Sequence, residues 1–391
     1  MNRKVIYISY VRLSDKTSRD WFIDYLIGRG VVVEYWDVVT LVRDEYEETA
    51  AKTTDYLHTI QTYGELEAML HLPENKDAYY VMVVTYAEFS IKLYRLLSRY
   101  NGRMLYIEWG AVPIKSTNKW RRLLSGLAHP FRLTERLFYR GKATLYRKLN
   151  LVKPFEIVFV AGKMVSAGSR HASRVVPINY ADYDLCEKVR REKLAPMIEG
   201  RYAVFLDSYL PHHSDLNVEG WPAIEPNEYY ASLISFFDKL EAKYEVKVVI
   251  AAHPRADYRT FNPFGGREIY FGRTAELVKD TSFVVVHSSY SQSHAILNAK
   301  PIIFIYTSEM LAAYRHTLMN EIFDCAAYLD AAIFNVDDVI HGDQILIKDV
   351  NPSCYESYKY EFLTTRETEH TTSREIFWHA IETGNILENS D

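Results

Sequence analysis

The sequence is short of the residues that build staples, repeats and membrane spans. Its 391 residues include three cysteines, Cys186, Cys325 and Cys354. They lie far apart and form no C-x-x-C pair, which argues against a disulfide framework and a cysteine-based zinc site. The 16 glycines and 13 prolines are too few for a disordered or fibrous chain. No window reaches 18 uncharged apolar residues, and the opening MNRKVIYISYVRLSDK has too brief an apolar run for a signal peptide. A cytoplasmic home is therefore expected. There is no G-x-x-x-x-G-K-[ST], and no strand followed by G-x-G-x-x-G, so P-loop and dinucleotide-binding readings lack their motif.

What is present is an ordinary globular composition, 48% hydrophobic and 25% charged, at a length that suits two domains of roughly 150–200 residues. The net charge of −5 conceals an asymmetry. Between Lys115 and Lys153 there are eleven Lys/Arg against one acid, Glu135, so this stretch carries +10 and the rest of the chain −15. Leucines and aromatics, among them Trp120, Phe131 and Phe138, are interleaved with the basic residues. That pattern reads as a basic amphipathic insertion able to rest on an anionic membrane surface, where a lipid-linked acceptor would be presented. Nucleic acid is not an expected partner, because the remaining −15 repels a phosphate backbone.

Apolar runs and helical periodicities alternate along the chain. Strands are expected at Val5–Tyr10, Val31–Trp36, Tyr79–Thr85 and Met104–Glu108, with helices at Ser18–Arg29 and Glu88–Tyr100. The rhythm resumes at Glu156–Ala161 and Val175–Asn179, and a helical connection follows at 183–198. A second unit opens at Tyr202–Leu206 and continues through helix Asn227–Lys243, strand Val246–Ala251, strand Phe283–Val286, helix Ser291–Asn298 and strand Pro301–Tyr306. The pattern predicts an α/β chain of two facing, Rossmann-like, doubly wound domains with a cleft between them. The expected bounds are 1–190 for an acceptor-binding domain carrying the insertion 115–153, 195–350 for a nucleotide-donor domain, and 355–391 for helices packing back across the cleft. Nearly continuous apolar strands alternating with helices imply parallel sheets, and ligands bind beyond the carboxyl ends of such strands.

Three strand ends carry candidate chemistry. In VVIAAHPRAD, His253 follows a buried strand and Pro254 fixes the turn, which suits an imidazole donating to a phosphate oxygen. In FVVVHSSYSQSHAIL, Ser288 and Ser289 are expected at the cap and first turn of a helix, where hydroxyls and free amides attract an anion. In RMLYIEWG, a strand delivers Glu108, placed to take a proton from an acceptor hydroxyl, with Asp15 as the next candidate base. The loop FLDSYLPHHSD adds Asp207 and Ser208 as candidates to line the donor pocket. Asp182-Tyr183-Asp184 spells D-x-D but lies in the interdomain connection and is not expected to bind metal. The 31 tyrosines suit packing or sugar stacking.

Glu108-Trp109-Gly110, His253-Pro254 and Ser288-Ser289, in that order, resemble the D/E-D/E-G, HP and S-S/T motifs of bacterial sialyltransferases and polysialyltransferases. Where that family has a second acid, this sequence has Trp109. The resemblance implies a GT-B fold and an inverting transfer from a CMP-activated nonulosonic acid during surface-glycan synthesis, with no metal or other cofactor. It further implies Glu108 as general base, His253 as phosphate ligand and leaving-group partner, and both serines on the phosphate. The HP and Ser-Ser pair is also similar to motifs of capsule Kdo transferases and CDP-glycerol glycerophosphotransferases. A UDP-sugar epimerase, and a non-enzymatic peripheral membrane scaffold, are the alternatives from other classes.

Overall fold

The computed structural model describes residues 4–42, 52–109, 112–113, 141–163, 171–193, 195–213, 221–315 and 317–383. Two compact units emerge, one formed by 1–109, 117–178 and 367–391, the other by 110–116 and 179–366. The first sheet contains β1 (Lys4–Ser9), β2 (Val32–Asp37), β3 (Leu57–Thr59), β4 (Tyr79–Met82), β5 (Arg103–Glu108), β6 (Phe155–Ala161) and β7 (Ala172–Ile178). These are all parallel, in the order β3-β2-β1-β4-β5-β6-β7. Helices cover both faces, which is why Val5, Ile6, Tyr7 and Ile8 of β1 are all fully buried. The order reverses between β1 and β4.

The second unit contains β8 (Tyr202–Leu206), β9 (Lys247–Ala252), β10 (Ile269–Phe271), β11 (Val284–Val286), β12 (Ile302–Tyr306) and β13 (Ala332–Asn335). Their order is β10-β9-β8-β11-β12-β13, again parallel, with the reversal between β8 and β11. The HP and Ser-Ser strands are thus not paired with each other; each pairs with β8, which lies between them. Many of the tyrosines are core residues, with Tyr7, Tyr35, Tyr202, Tyr229, Tyr314 and Tyr358 among the largest fully buried side chains.

Several expectations change in detail. The helix expected over Ser18–Arg29 is two helices, Asp15–Asp20 and Ile23–Gly28. Phe22 sits between them at φ 62, in the left-handed region. The break turns two rings outward from the helical path, so that Trp21 meets Trp109 and Phe22 meets both Trp109 and Phe377. Gly30 closes this segment at φ 78, a conformation glycine adopts without strain. The first boundary falls at Asn179, not near 190, so helix Ala181–Glu192 belongs to the second unit. Its Cys186 and Asp182 contact His294 and Ser293 there. The C-terminal stretch is likewise divided. Pro352–Tyr358 and the π-turn Lys359–Leu363 pack in the second unit, while Ser373–Thr383 returns to the first, where Ala380 accepts a hydrogen bond from Arg174. Residues 114–140 of the basic insertion lie outside the described residues, and its described end is a helix over 141–148. No helix among the described residues is long and apolar enough to cross a membrane.

Candidate functional site

In the second unit, three loops leave the carboxyl ends of β8, β9 and β11, and hydrogen bonds tie them together. After β8, Asp207 is 6% exposed, and its carboxylate accepts from the Tyr209 amide at 2.9 Å, the His253 amide at 3.3 Å and the Tyr258 hydroxyl at 2.9 Å. Burial outweighs these donors and pushes the Asp207 carboxyl up to about 6. Asp207, expected to line the donor pocket, has its carboxylate turned onto these three protein donors. It ties the HP loop to the β8 loop and holds Tyr209 at φ 50, a backbone region rare for a side chain of that size. Ser208, the next residue, donates to the Ser288 carbonyl at 3.3 Å and so links the β8 loop to the β11 loop.

His253 and Pro254 open a turn in which the Ala256 amide returns to the His253 carbonyl at 2.9 Å, with Pro254 at the position that favours its fixed φ. The Arg255 amide donates to His253 Nδ1 at 3.2 Å, so the neutral ring carries its proton on Nε2. The ring lies nearly parallel to Tyr209 and 5.1 Å from His213 between centroids. Three aromatic or imidazole side chains thus gather above the ends of β8 and β9.

The Ser-Ser stretch differs most from expectation. The helix begins at Gln292 with Ser291 as its cap residue, so Ser288 and Ser289 precede it and cap nothing. The Ser291 amide donates to Ser289 Oγ at 3.2 Å, and the Gln292, Ser293 and His294 amides turn back onto the carbonyls of Ser289, Tyr290 and Ser291. This local side-chain turn competes with helix and uses amides that an anion would otherwise find free. Ser288 donates its hydroxyl to Glu321, from the first turn of helix Leu318–Tyr328. Ser289, in contrast, only accepts through its hydroxyl and retains the proton for another acceptor. Glu321, Tyr209 and Tyr258 are participants that no sequence motif announced. His287, adjacent in sequence, is structural. It is fully buried, its Nδ1–H donates to the Ile305 carbonyl at 2.7 Å, and its Nε2 accepts from Tyr229 at 2.7 Å. Burial holds the imidazole down at about 4 and therefore neutral.

In the first unit, Glu108 ends β5 with its side chain half-buried. Its neighbour Trp109 packs on Trp21 and Phe22, which accounts for an indole where a second acid would stand. Gly110 lies outside the described residues. Asp15, the alternative base, is on the surface and 2.9 Å from Lys52, which lowers its carboxyl below the ordinary range and makes it a poor proton acceptor. The two acids of the D-x-D are both engaged, Asp182 by Ser293 at 2.6 Å and Asp184 by Asn179 at 3.1 Å.

No protein-family model matches the sequence, and no curated protein matches it. Among solved structures the chain is similar to the glycosyltransferase SnogD from Streptomyces nogalater, with a TM-score of 0.48 and 11% identity over 98% of this chain and 100% of that one. It is similar to a putative UDP-N-acetylglucosamine 2-epimerase from Listeria monocytogenes, with a TM-score of 0.47 and 12% identity over 100% of this chain and 98% of that one. It is also similar to the calicheamicin glycosyltransferase CalG4, with a TM-score of 0.45 and 11% identity over 94% and 92% of the two chains. Likeness at this level assigns no chemistry, which has to come from the residues.

Proposed function

We propose that the chain is an inverting, GT-B-type glycosyltransferase that takes its sugar from a nucleotide-activated donor, a CMP-linked nonulosonic acid, for surface-glycan synthesis. The observation that carries this reading is the joining of the HP, Asp-Ser and Ser-Ser loops at the β8/β11 reversal, the crevice where open α/β sheets bind ligands. The Nε2–H of His253 and the hydroxyl of Ser289 supply donors for a phosphate there, and the buried Asp207 keeps the two loops in place.

In this reading the acceptor hydroxyl loses its proton to Glu108 while its oxygen forms the new bond to the anomeric carbon. The bond to the donor phosphate breaks, its electron pair leaves with the nucleotide, and His253 stabilises the departing charge. The experiment pairs two variants. CMP, CDP, UDP and GDP are compared for their effect on the melting temperature, since a ligand at 100 times its dissociation constant stabilises by about 2.7 kcal/mol. His253→Ala should lose the nucleotide-induced shift. Glu108→Gln should keep it and yet lower the transfer rate by roughly 10²–10⁴. A His253→Ala protein that responds to nucleotide as the wild type does would remove the reading.

A further inference from the structure

The reversal of strand order in the first unit lies between β1 and β4, and the side chains beyond it form a second polar group. Tyr10 follows β1, Thr85 and Tyr86 follow β4, and Tyr106 and Glu108 come from β5. The hydroxyls of Tyr10 and Thr85 are 3.5 Å apart. Above them runs the helix over 141–148, fixed at one end by Lys142 on Glu88 at 2.8 Å and by the Tyr86 hydroxyl on the Ala143 carbonyl at 2.8 Å.

Arg147 on this helix is half-buried, its guanidinium 3.9 Å from the centre of the Tyr86 ring and 5.9 Å from that of Phe155. Arg29, Arg95 and Arg374 of this unit are exposed and lie against aromatic rings, while two less exposed arginines are paired. Arg103 holds Glu156 and the Tyr79 hydroxyl, and Arg12 holds Asp37. For Arg147, among the described residues, there is no hydrogen-bond acceptor and no carboxylate within ion-pair distance. Glu108 is near enough for its charge to act on the guanidinium without reaching it, and burial keeps that guanidinium below its usual pKa. A planar fork of five N–H donors, half-buried beside an aromatic ring and without an acceptor among the described residues at a ligand crevice, suits a carboxylate or phosphate.

We propose that Arg147 is the anchor for an anionic acceptor, a glycan whose carboxylate or phosphate is taken by the guanidinium beside Tyr86 while its hydroxyl lies at Glu108. The inference deepens the transferase reading and rests on it. It makes Arg147 a specificity residue, because a neutral glycan leaves the guanidinium unpaired.

The test uses the full chain and four probes, methyl β-glucuronide, glucose 6-phosphate, inorganic phosphate and methyl β-glucoside, titrated in the millimolar range by NMR. At least one of the two anionic sugars should bind roughly tenfold or more tightly than the neutral glucoside, the usual yield of a charge-assisted contact. Which of them does so separates a carboxylate from a phosphate preference, and inorganic phosphate alone shows whether the sugar contributes. Arg147→Gln should lose that advantage, Arg147→Lys should keep part of it, and both should hold nucleotide as the wild type does, which also reports that they fold. Equal binding of anionic and neutral sugars, or anion binding unchanged in Arg147→Gln, overturns the inference and leaves the donor site standing. Anion binding that depends on Arg147, in a protein that binds no nucleotide, overturns the transferase reading instead.

Discussion

Asp207 gives the sharpest quantitative test of the donor half-site. Its carboxyl is raised from 3.8 to about 6 by burial, the largest cause, against the opposing pull of the Tyr209, Tyr258 and His253 donors. Below pH 3.8 both folded and unfolded chains hold the proton. Between 3.8 and about 6 the unfolded chain has released it while the folded chain has not, so stability falls as pH rises through this window. At about 1.36 kcal/mol per pKa unit, the loss from pH 4.5 to 7 amounts to about 2 kcal/mol. Asp207→Asn removes the titration. It also sets an amide N–H₂ against at least one of the donors the carboxylate accepts, which costs roughly 1–3 kcal/mol at every pH. The measurement is urea unfolding of both proteins at pH 4.5 and 7, with the second unit's transition identified by hydrogen exchange in peptides covering β8. The wild type's advantage over Asp207→Asn should shrink by about 2 kcal/mol between the two pH values, since all other titrations cancel in the difference. A difference that does not change with pH would mean that Asp207 is not held in a desolvated site, and the account of the joined loops would fail with it.

His287 should behave with the opposite sign. Its folded pKa is lowered to about 4 by burial, so stability falls as pH drops from the ordinary histidine range towards 4, and His287→Gln should lessen the acid sensitivity while costing stability at pH 7. The measurement is the same pair of urea curves, and an unchanged acid limb in the variant would contradict it. The basic segment 115–153 should bring the protein down with anionic but not neutral vesicles, less so with added salt, and not when Arg121, Arg122, Arg136 and Arg140 are changed to Gln. Equal recovery with both vesicle types would exclude a membrane role.

The strands were legible in the sequence because parallel strands buried on both faces read as unbroken apolar runs, as in VIYI of β1 and VVIAA of β9. The short β3, with a burial pattern that is half-buried or exposed throughout, has no such run and could not be seen. Helix Tyr63–His71 went unread although Thr62 and Glu65 form a capping box, a T-x-x-E signal visible in the sequence. The break at Phe22 was hidden because it is produced by ring contacts with Trp109 and Phe377, residues remote in sequence. At the candidate site, the position of His253 and Ser208 after strands is legible in the sequence, since each follows an unbroken apolar run. The mistake at Ser288 and Ser289 arose because a Ser-Ser pair before a helix signals a cap equally well whether the helix starts at once or after a side-chain turn. Arg147 was counted only as one charge in a basic run. What distinguishes it, a half-buried guanidinium without an acceptor among the described residues, is a property of its surroundings.

The path of the chain also bears on how the molecule is made. The first unit contains residues from both ends, and its core includes Phe377 against Phe22 and Phe159, with Ile376 and Ile381 also buried beside them in helix Ser373–Thr383. During synthesis, therefore, the sheet of β1 to β7 emerges first but waits for helix Ser373–Thr383 before this part of its core can close. The second unit, formed apart from 110–116 by the continuous stretch 179–366, is complete earlier, which reverses the usual order in which domains fold as they leave the ribosome. Until residue 383 has been added, the rings of Phe22 and Phe159 lack their cover, and a nascent or truncated chain exposes an apolar surface that the finished protein does not have.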